Sequence, residues 1–349
     1  MSAMTHTKAA DDGARTSAAA LARSLGVSAA SVSYALHGKP GVSDALRARI
    51  LDAARERGMI IPQAAAASDQ STVFGLVLAD VLNPFYSELA VTVTDAARSY
   101  GHEVFISQTA DEQSSIDQAV SAMIAHNVDA MILTVSQADD ASLTRLLRHA
   151  HTPFVQLSRR NLGTDADFVG IDDFRAGGDM ARHLLKHGYR RFALIAGSPM
   201  SSASRVRAEG YRKTLRAAGV ALPRSWNITA GLNEADGIRA AEYLLGQAEL
   251  PEAVICGTDS IALGLISVLH AHGLKVPDDI AVVGFDGLTG ARSRLVDLTT
   301  VVQPRLEMAQ RAMGLVRHRL SEPNAEAQSI YCNYKLYIGR SCGCQSRKE

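Results

Sequence analysis

Leu21-Ala22-Arg23-Ser24-Leu25-Gly26-Val27-Ser28-Ala29-Ala30-Ser31-Val32-Ser33 is the stretch that decides how this chain is organised. A helical pattern runs from Ala18 to Leu25 and stops at Gly26, whose missing Cβ permits the left-handed turn that ends a helix. Ser28 then offers the short hydroxyl of an N-cap, and Ala29 to Leu36 continues as a second helix. Helix, glycine turn and capped helix are what a helix-turn-helix requires, with Val27 plugging the junction and the second helix starting where it can meet a major groove. A third helical pattern, Asp44 to Arg57, is capped by Ser43 and stopped by Gly58. Leu21, Leu25, Val32, Leu36, Leu46, Ile50 and Ala54 can supply one small shared core. From the pattern alone, a plain helical hairpin is the competing reading.

Working outward, residues 1–15 are small, polar and without period, which predicts a flexible tail, and residues 16–61 form the helix-turn-helix domain. Residues 62–72, PQAAAASDQST, join a proline, an alanine run and polar residues and read as a hinge or linker. Beyond it the pattern changes. Apolar strand-like runs at Val73–Leu78, Val104–Ser107, Ala130–Val135, Phe154–Leu157, Phe192–Ala196, Ala253–Cys256 and Ile280–Phe285 alternate with helical stretches, several of them ended by Gly101, Gly188, Gly219 or Gly273. Such alternation predicts βαβ units and parallel sheets. Residues 73–342 are long enough for two such sheets, leaving 343–349 as a tail.

The 349 residues carry 36 Lys+Arg against 36 Asp+Glu, so the chain as a whole is no cationic coat for nucleic acid. Within residues 1–67, however, eight Lys and Arg stand against five acids, a local +3 that leaves −3 for the remainder. A hydrophobic fraction of 47% excludes global disorder. The N-terminus lacks the apolar core of a secretory signal and no run approaches the ~18 apolar residues of a membrane span, so a cytoplasmic location is expected. Four cysteines are too few for a disulfide framework. Cys342-Gly343-Cys344 could hold a soft metal with Cys332, but without a second close pair or a His nearby in sequence a reduced tail is expected. His183 and His187, four residues apart, read as a solvated helix face.

Enzyme signals are weak. Gly339-Arg340-Ser341-Cys342-Gly343 matches the spacing of a nucleophile elbow, but that chemistry needs an acid and a His later in the chain, and no His follows. No phosphate loop, zinc-protease or dinucleotide-binding motif occurs. Neither catalytic residues, nor a metal, nor a cofactor are expected.

Gly26-Val27-Ser28-Ala29-Ala30-Ser31-Val32-Ser33-Tyr34-Ala35-Leu36-His37-Gly38, followed by Val42-Ser43, resembles the headpiece of the lactose-repressor/galactose-repressor family of bacterial transcription regulators. Asn83-Pro84-Phe85-Tyr86 after the first strand, Arg207-Ala208-Glu209-Gly210-Tyr211 opening a helix, and Val283-Gly284-Phe285-Asp286 closing a strand follow in that family's order, together covering residues 17–342. The resemblance implies a small all-α helix-turn-helix headpiece and an α/β periplasmic-binding-protein-like core of two Rossmann-like lobes with an effector in the cleft. It also implies roles for single residues. DNA-binding positions fall on Ser28, Ala29, Ala30, Ser31, Ser33, Tyr34 and His37, with Ala29, Ala30 and Tyr34 at the base-reading places. Family members often carry larger polar groups at the first two and Arg at the third. Two alanines offer only contact with a thymine methyl, which leaves more of the binding to phosphates and DNA shape. The hinge also lacks the Leu that the family wedges into the minor groove.

In the core, the same resemblance assigns effector binding to Phe85, Ser158, Arg207, Thr258, Asp259 and Asp286. Arg207 matches an effector-binding arginine, Asp286 an acceptor at the C-terminal end of a strand, and Phe85 an aromatic stacking face. Thr258 and Asp259 match a polar pocket turn, and Ser158 stands where several sugar- and purine-responsive members have Asp. Together these features predict a ligand-responsive repressor that binds a palindromic double-stranded operator as a homodimer, with a sugar-like effector and no membrane partner. Helices near Glu88–Ser99 and Ile261–His272 are expected at the dimer face. A solute-binding protein of the same core fold is the alternative, and it would require a secretory signal and no headpiece. A Rossmann-like enzyme fused to a helical module would require one of the missing catalytic motifs.

Overall fold

The computed structural model describes residues 18–36, 41–57, 72–135, 141–161 and 165–344. The chain divides into two compact units, Met1–Ser71 and Thr72–Glu349. The tail at 1–15, the linker at 62–71, His37 and residues 345–349 lie outside the described residues.

The first unit contains α1 (Ala18–Leu25), α2 (Ala29–Leu36) and α3 (Asp44–Glu56), the last one residue shorter than its sequence pattern. Gly26 makes the turn with φ 67°, and Val27 N–H donates back to Ala22 O at 3.0 Å, closing α1. Ser28 Oγ accepts from Ser31 N–H at 3.0 Å and caps α2. Leu21, Val32, Ala35, Ile50 and Ala54 are wholly buried between the three helices. Two cations of α3 complete the other helix ends: Arg47 donates to Tyr34 O at 3.3 Å and Arg49 to Leu25 O at 3.4 Å, where the helix dipole favours positive charge.

In the second unit, β1 (Val73–Leu78), α4 (Pro84–Arg98), β2 (Glu103–Gln108), α5 (Gln113–Ala125), β3 (Ala130–Leu133), α6 (Ala141–His149), β4 (Phe154–Leu157) and β5 (Asp167–Gly170) begin the first lobe. The second lobe takes α7 (Asp173–Lys186), β6 (Phe192–Ala196), α8 (Ser202–Ala217), β7 (Asn227–Thr229), α9 (Glu234–Leu245), β8 (Ala253–Cys256), α10 (Asp259–Ala271), β9 (Ala281–Asp286) and β10 (Thr299–Val302). The chain then returns to the first lobe with α11 (Arg305–Ser321) and β11 (Ser329–Tyr331), and ends in the second with β12 (Lys335–Tyr337). It thus passes between lobes three times.

The two sheets have the orders β11-β5-β4-β3-β1-β2 and β12-β10-β9-β8-β6-β7. Every described pairing is parallel except β10 with β12. Parallel strands covered by helices on both faces need apolar residues throughout, and β6 (FALIA) and β8 (AVIC) bury every residue. Gly177 and Gly210 let α7 and α8 touch. A Cβ at Gly177 would lie 2.5 Å from Arg207 O, and one at Gly210 would lie 2.1 Å from Phe174 O. That close approach sets Arg207 on α8 beside Asp173 on α7.

Candidate functional site

Two surfaces carry the residues singled out from the sequence. On the first unit, Ala29 and Ala30 are exposed at the start of α2, and Tyr34, one turn further along, keeps 42% of its surface. Ser28 Oγ and Ser31 Oγ lie 2.8 Å apart, so both hydroxyls sit at the helix N-terminus. Ser33 is half-buried, and His37 falls outside the described residues. Small side chains at positions 29 and 30 leave the N-terminal backbone of α2 accessible, where N–H groups and the helix dipole attract a phosphate oxygen.

On the second unit, Phe85, Ser158, Arg207, Thr258 and Asp286 converge from both lobes on one point of the cleft, joined there by Asn83, Leu232 and Gln303. Asn83 caps α4 by accepting from Phe85 N–H at 3.0 Å, and its amide donates across the cleft to Leu232 O at 3.0 Å. Thr258 caps α10 and donates to Leu232 O at 3.2 Å. Asp259 is not brought to the cleft. Its carboxylate is fully buried behind β9, accepting from Thr300 Oγ1–H at 2.5 Å and Leu288 N–H at 2.7 Å, so it holds the end of β9.

Charge at the cleft centres on Arg207, which is buried. Its Nε and Nη2 donate to Asp173 Oδ1 at 3.1 and 2.9 Å, Nη1 donates to Gly257 O, and the guanidinium stacks 3.3 Å from the centroid of the Phe285 ring. Asp286 Oδ1 stands 3.8 Å from Arg207 Nη1 and accepts from Gln303 Nε2 at 2.8 Å. Its Oδ2 is buried with no hydrogen-bond partner among the described residues. Burial pushes the carboxyl of Asp286 up to about 7 and that of Asp173 up to about 6, against the lowering pull of Arg207. Ser158 and Asp286 both hold positive φ, 68° and 118°, a strained backbone that the surrounding structure must hold in place. An orphaned carboxylate oxygen beside a cation, with a serine hydroxyl and an aromatic ring facing it, suits a ligand that donates hydrogen bonds.

Room for such a ligand lies beside this point. The cavity among Phe85, Arg207 and Asp286 measures only 20 Å³, about one water. It shares Ser158 and Ala203 with an adjoining cavity of 470 Å³, lined also by Asp173, Ser202, Tyr331 and Tyr334. Asp173, Gln303 and Tyr334 were not foreseen. Asp173 had one available signal, an acid in the first turn of a helix that follows a strand. Gln303 and Tyr334 lie on segments that cross between lobes, which no local pattern marks.

Two motifs from the C-terminal end resolve differently. Ser341 of the apparent nucleophile elbow sits in a short 3-10 turn, Arg340–Cys342, where its hydroxyl donates to Val282 O at 2.6 Å and accepts from Thr299 N–H at 2.9 Å, so it is a buried pin. Cys342 and Cys344 do not form a free tail. They meet His183 and His187, distant in sequence, while Cys332 lies apart against the 470 Å³ cavity. No helix of the described residues is long and apolar enough to cross a membrane.

Residues 181–342 match the family described as a periplasmic binding protein-like domain. The ribose operon repressor of Escherichia coli (strain K12) is 29% identical over 314 residues, 89% of this chain and 94% of the relative. A solved complex of the transcriptional regulator CelR with cellobiose is 26% identical and superposes with a TM-score of 0.71 over 93% of this chain and 99% of that one. The lac repressor dimer bound to operator and the anti-inducer ONPF, 22% identical, shares the fold with a TM-score of 0.76 over 93% of this chain and 98% of that one.

Proposed function

This chain belongs to the lactose-repressor/galactose-repressor family of ligand-responsive, DNA-binding transcription regulators, and from that premise we propose how its own residues divide the work. The chain is a cytoplasmic repressor that binds a palindromic operator as a homodimer, two headpieces supplying what one headpiece of charge +3 does not. Ala29, Ala30 and Tyr34 face the bases, while Ser28, Ser31 and Ser33 and the N-terminal N–H groups of α2 face phosphates. Because the two alanines cannot hydrogen-bond to a base edge, affinity rests largely on phosphate contacts and falls steeply with salt.

The effector is a small polyhydroxylated molecule such as a sugar, held by Phe85, Ser158, Arg207, Thr258 and Asp286 and extending into the 470 Å³ cavity. The observation that carries this reading is the unpartnered Oδ2 of Asp286: a buried acceptor without a donor costs roughly 1–3 kcal/mol, which a ligand hydroxyl recovers. Ligand contacts spanning both lobes then bias the angle between them and so the two headpieces of the dimer. The relative solved with cellobiose points to the same ligand class.

The test combines gel shifts on DNA from upstream of the chain's own gene with calorimetry against a panel of pentoses, hexoses and disaccharides. A retained fragment, released or tightened by one sugar in the wild-type chain but not in Asp286→Asn, is the expected result. No retention of any fragment at low salt would refute the DNA-binding assignment, and an unchanged sugar response in Asp286→Asn would refute the pocket.

A further inference from the structure

The C-terminal helix end of α7 and the end of the chain place four soft ligand atoms around one point. His183, in the last turn of α7, and His187, its C-cap, are four residues apart and so lie on one helix face. Opposite them the 3-10 turn at Arg340–Cys342 and the left-handed Gly343, φ 88°, turn Cys342 and Cys344 to the same side. His183 Nε2 is 3.2 Å from Cys342 Sγ and 3.8 Å from Cys344 Sγ, and His187 Nε2 is 3.2 Å from Cys344 Sγ. All four ligand atoms lie within 4.8 Å of one another.

Those separations are the edges of a coordination tetrahedron. With Zn–S near ~2.3 Å and Zn–N near ~2.0 Å, a tetrahedral ion sets sulfur and nitrogen about 3.5 Å apart. The three sulfur–nitrogen distances of 3.2, 3.2 and 3.8 Å straddle that value. Thiol-to-imidazole hydrogen bonds alone do not require both histidines and both cysteines to share one centre.

We propose that His183, His187, Cys342 and Cys344 form a Cys2His2 site for a borderline-soft divalent cation, Zn²⁺, which fastens the end of the chain to α7. Two thiolates balance the charge of the ion, and binding displaces their two protons. The surroundings are built for it. Cys342 is wholly buried, and the Thr299 hydroxyl lies 3.0 Å from its sulfur, able to donate to a thiolate. Tyr189 stacks on His187 with ring centroids 5.9 Å apart and donates its hydroxyl to Cys342 O at 3.2 Å, fixing one ligand against the other. Ser341 pins the turn from the far side. Four protein ligands leave no open position, so the ion is structural. It joins the last turn of the helix whose first turn holds Asp173, the partner of Arg207.

The experiment uses the full chain purified under reducing conditions. Metal analysis by mass spectrometry is expected to find about one zinc per chain, and Cys344→Ser, at a half-buried position, and His187→Gln, at an exposed one, to bind at least ~100-fold more weakly in competition with a chromogenic chelator while keeping the far-ultraviolet circular dichroism of the wild type. Cobalt substitution should give the visible absorption of a tetrahedral thiolate complex, and zinc should shield Cys344, the one cysteine of the four that is not buried, from a thiol reagent. Metal-stripped, reduced and folded protein that takes up neither Zn²⁺ nor Co²⁺ at micromolar concentration would overturn the proposal. So would variants that bind as tightly as the wild type, or a Cys342–Cys344 disulfide that persists under reduction.

Discussion

Replacing Arg207 by Ala tests whether one guanidinium holds the cleft together. The side chain is buried, bonded twice to Asp173 and stacked on Phe285, with Asp286 at 3.8 Å. Its removal leaves buried Asp173 without its counter-charge and buried Asp286 with only the pull of Arg305, and breaking a buried pair costs roughly 3–5 kcal/mol. The cost must depend on pH. Both carboxyls already have raised pKa values, about 6 for Asp173 and about 7 for Asp286, so the stability each contributes is complete below its unfolded value near 3.8 and is lost as pH rises through the folded value. Without Arg207 both folded values rise further, and the loss continues to higher pH. The variant's deficit therefore widens between pH 6 and pH 8. At about 2–4 °C per kcal/mol for a unit of this size, scanning calorimetry should show Tm lowered by about 6–20 °C at pH 8 and by less than half of that at pH 5.5. An equal deficit at both pH values would refute the account, because lost packing alone does not titrate. Loss of sugar response in this variant must accordingly be read at temperatures where the lobe is still folded.

Three further outcomes are expected. Tyr34→Ala should relax sequence preference in a selection of binding sites from random DNA, since Tyr34 is the largest exposed group on that face of α2; an unchanged binding-site profile would misplace the DNA face. Ser28→Ala should lower headpiece stability by about 1 kcal/mol through loss of the N-cap, measured by urea unfolding followed at an amide of α2, and Ser28→Asp should restore it. Phe105→Glu on edge strand β2, which packs on α4 of the expected dimer face and where Phe105 and Ile106 each expose 50% of their surface, should shift sedimentation equilibrium from dimer to monomer; a dimer of unchanged strength would place the interface elsewhere.

The sequence made visible what rests on local chemistry. Gly26 and Ser28 bounded α1 and α2 as they do in the structure, and Gly101, Gly188, Gly219 and Gly273 each end a helix with positive φ. Long apolar runs located β1, β4, β6 and β8 to the residue. The runs at Val104–Ser107, Ala130–Val135 and Ile280–Phe285 differ from the strands by one or two residues, because polar Glu103 and Gln108 extend the pairing with β1, Thr134 turns its hydroxyl to Val77 O and Asp286 continues the pairing to Val302. Strands β5, β7, β10, β11 and β12 have only three or four residues each, too short for a period to show. Of the six residues that the resemblance assigns to effector binding, Phe85, Ser158, Arg207, Thr258 and Asp286 come together at one point of the cleft, whereas the first turn of α10 aims Asp259 behind β9. The meeting of His183 and His187 with Cys342 and Cys344 had no local signal: it spans more than 150 residues and depends on the fold alone.

The three passages between lobes govern how the molecule can be made. The first lobe is assembled from two stretches of chain, and α11, which packs on α4, β4 and β5, emerges only after all of the second lobe but β12 has been synthesised. At roughly 5–20 residues per second a ribosome takes on the order of ten to thirty seconds to go from β5 to α11. During that interval β4 and β5 present apolar surface that nothing yet covers, whereas the headpiece, continuous in sequence, can close early. A stop codon ahead of Ser329 would therefore strip an edge strand from both lobes at once, and a nascent chain stalled before α11 is a natural substrate for a chaperone.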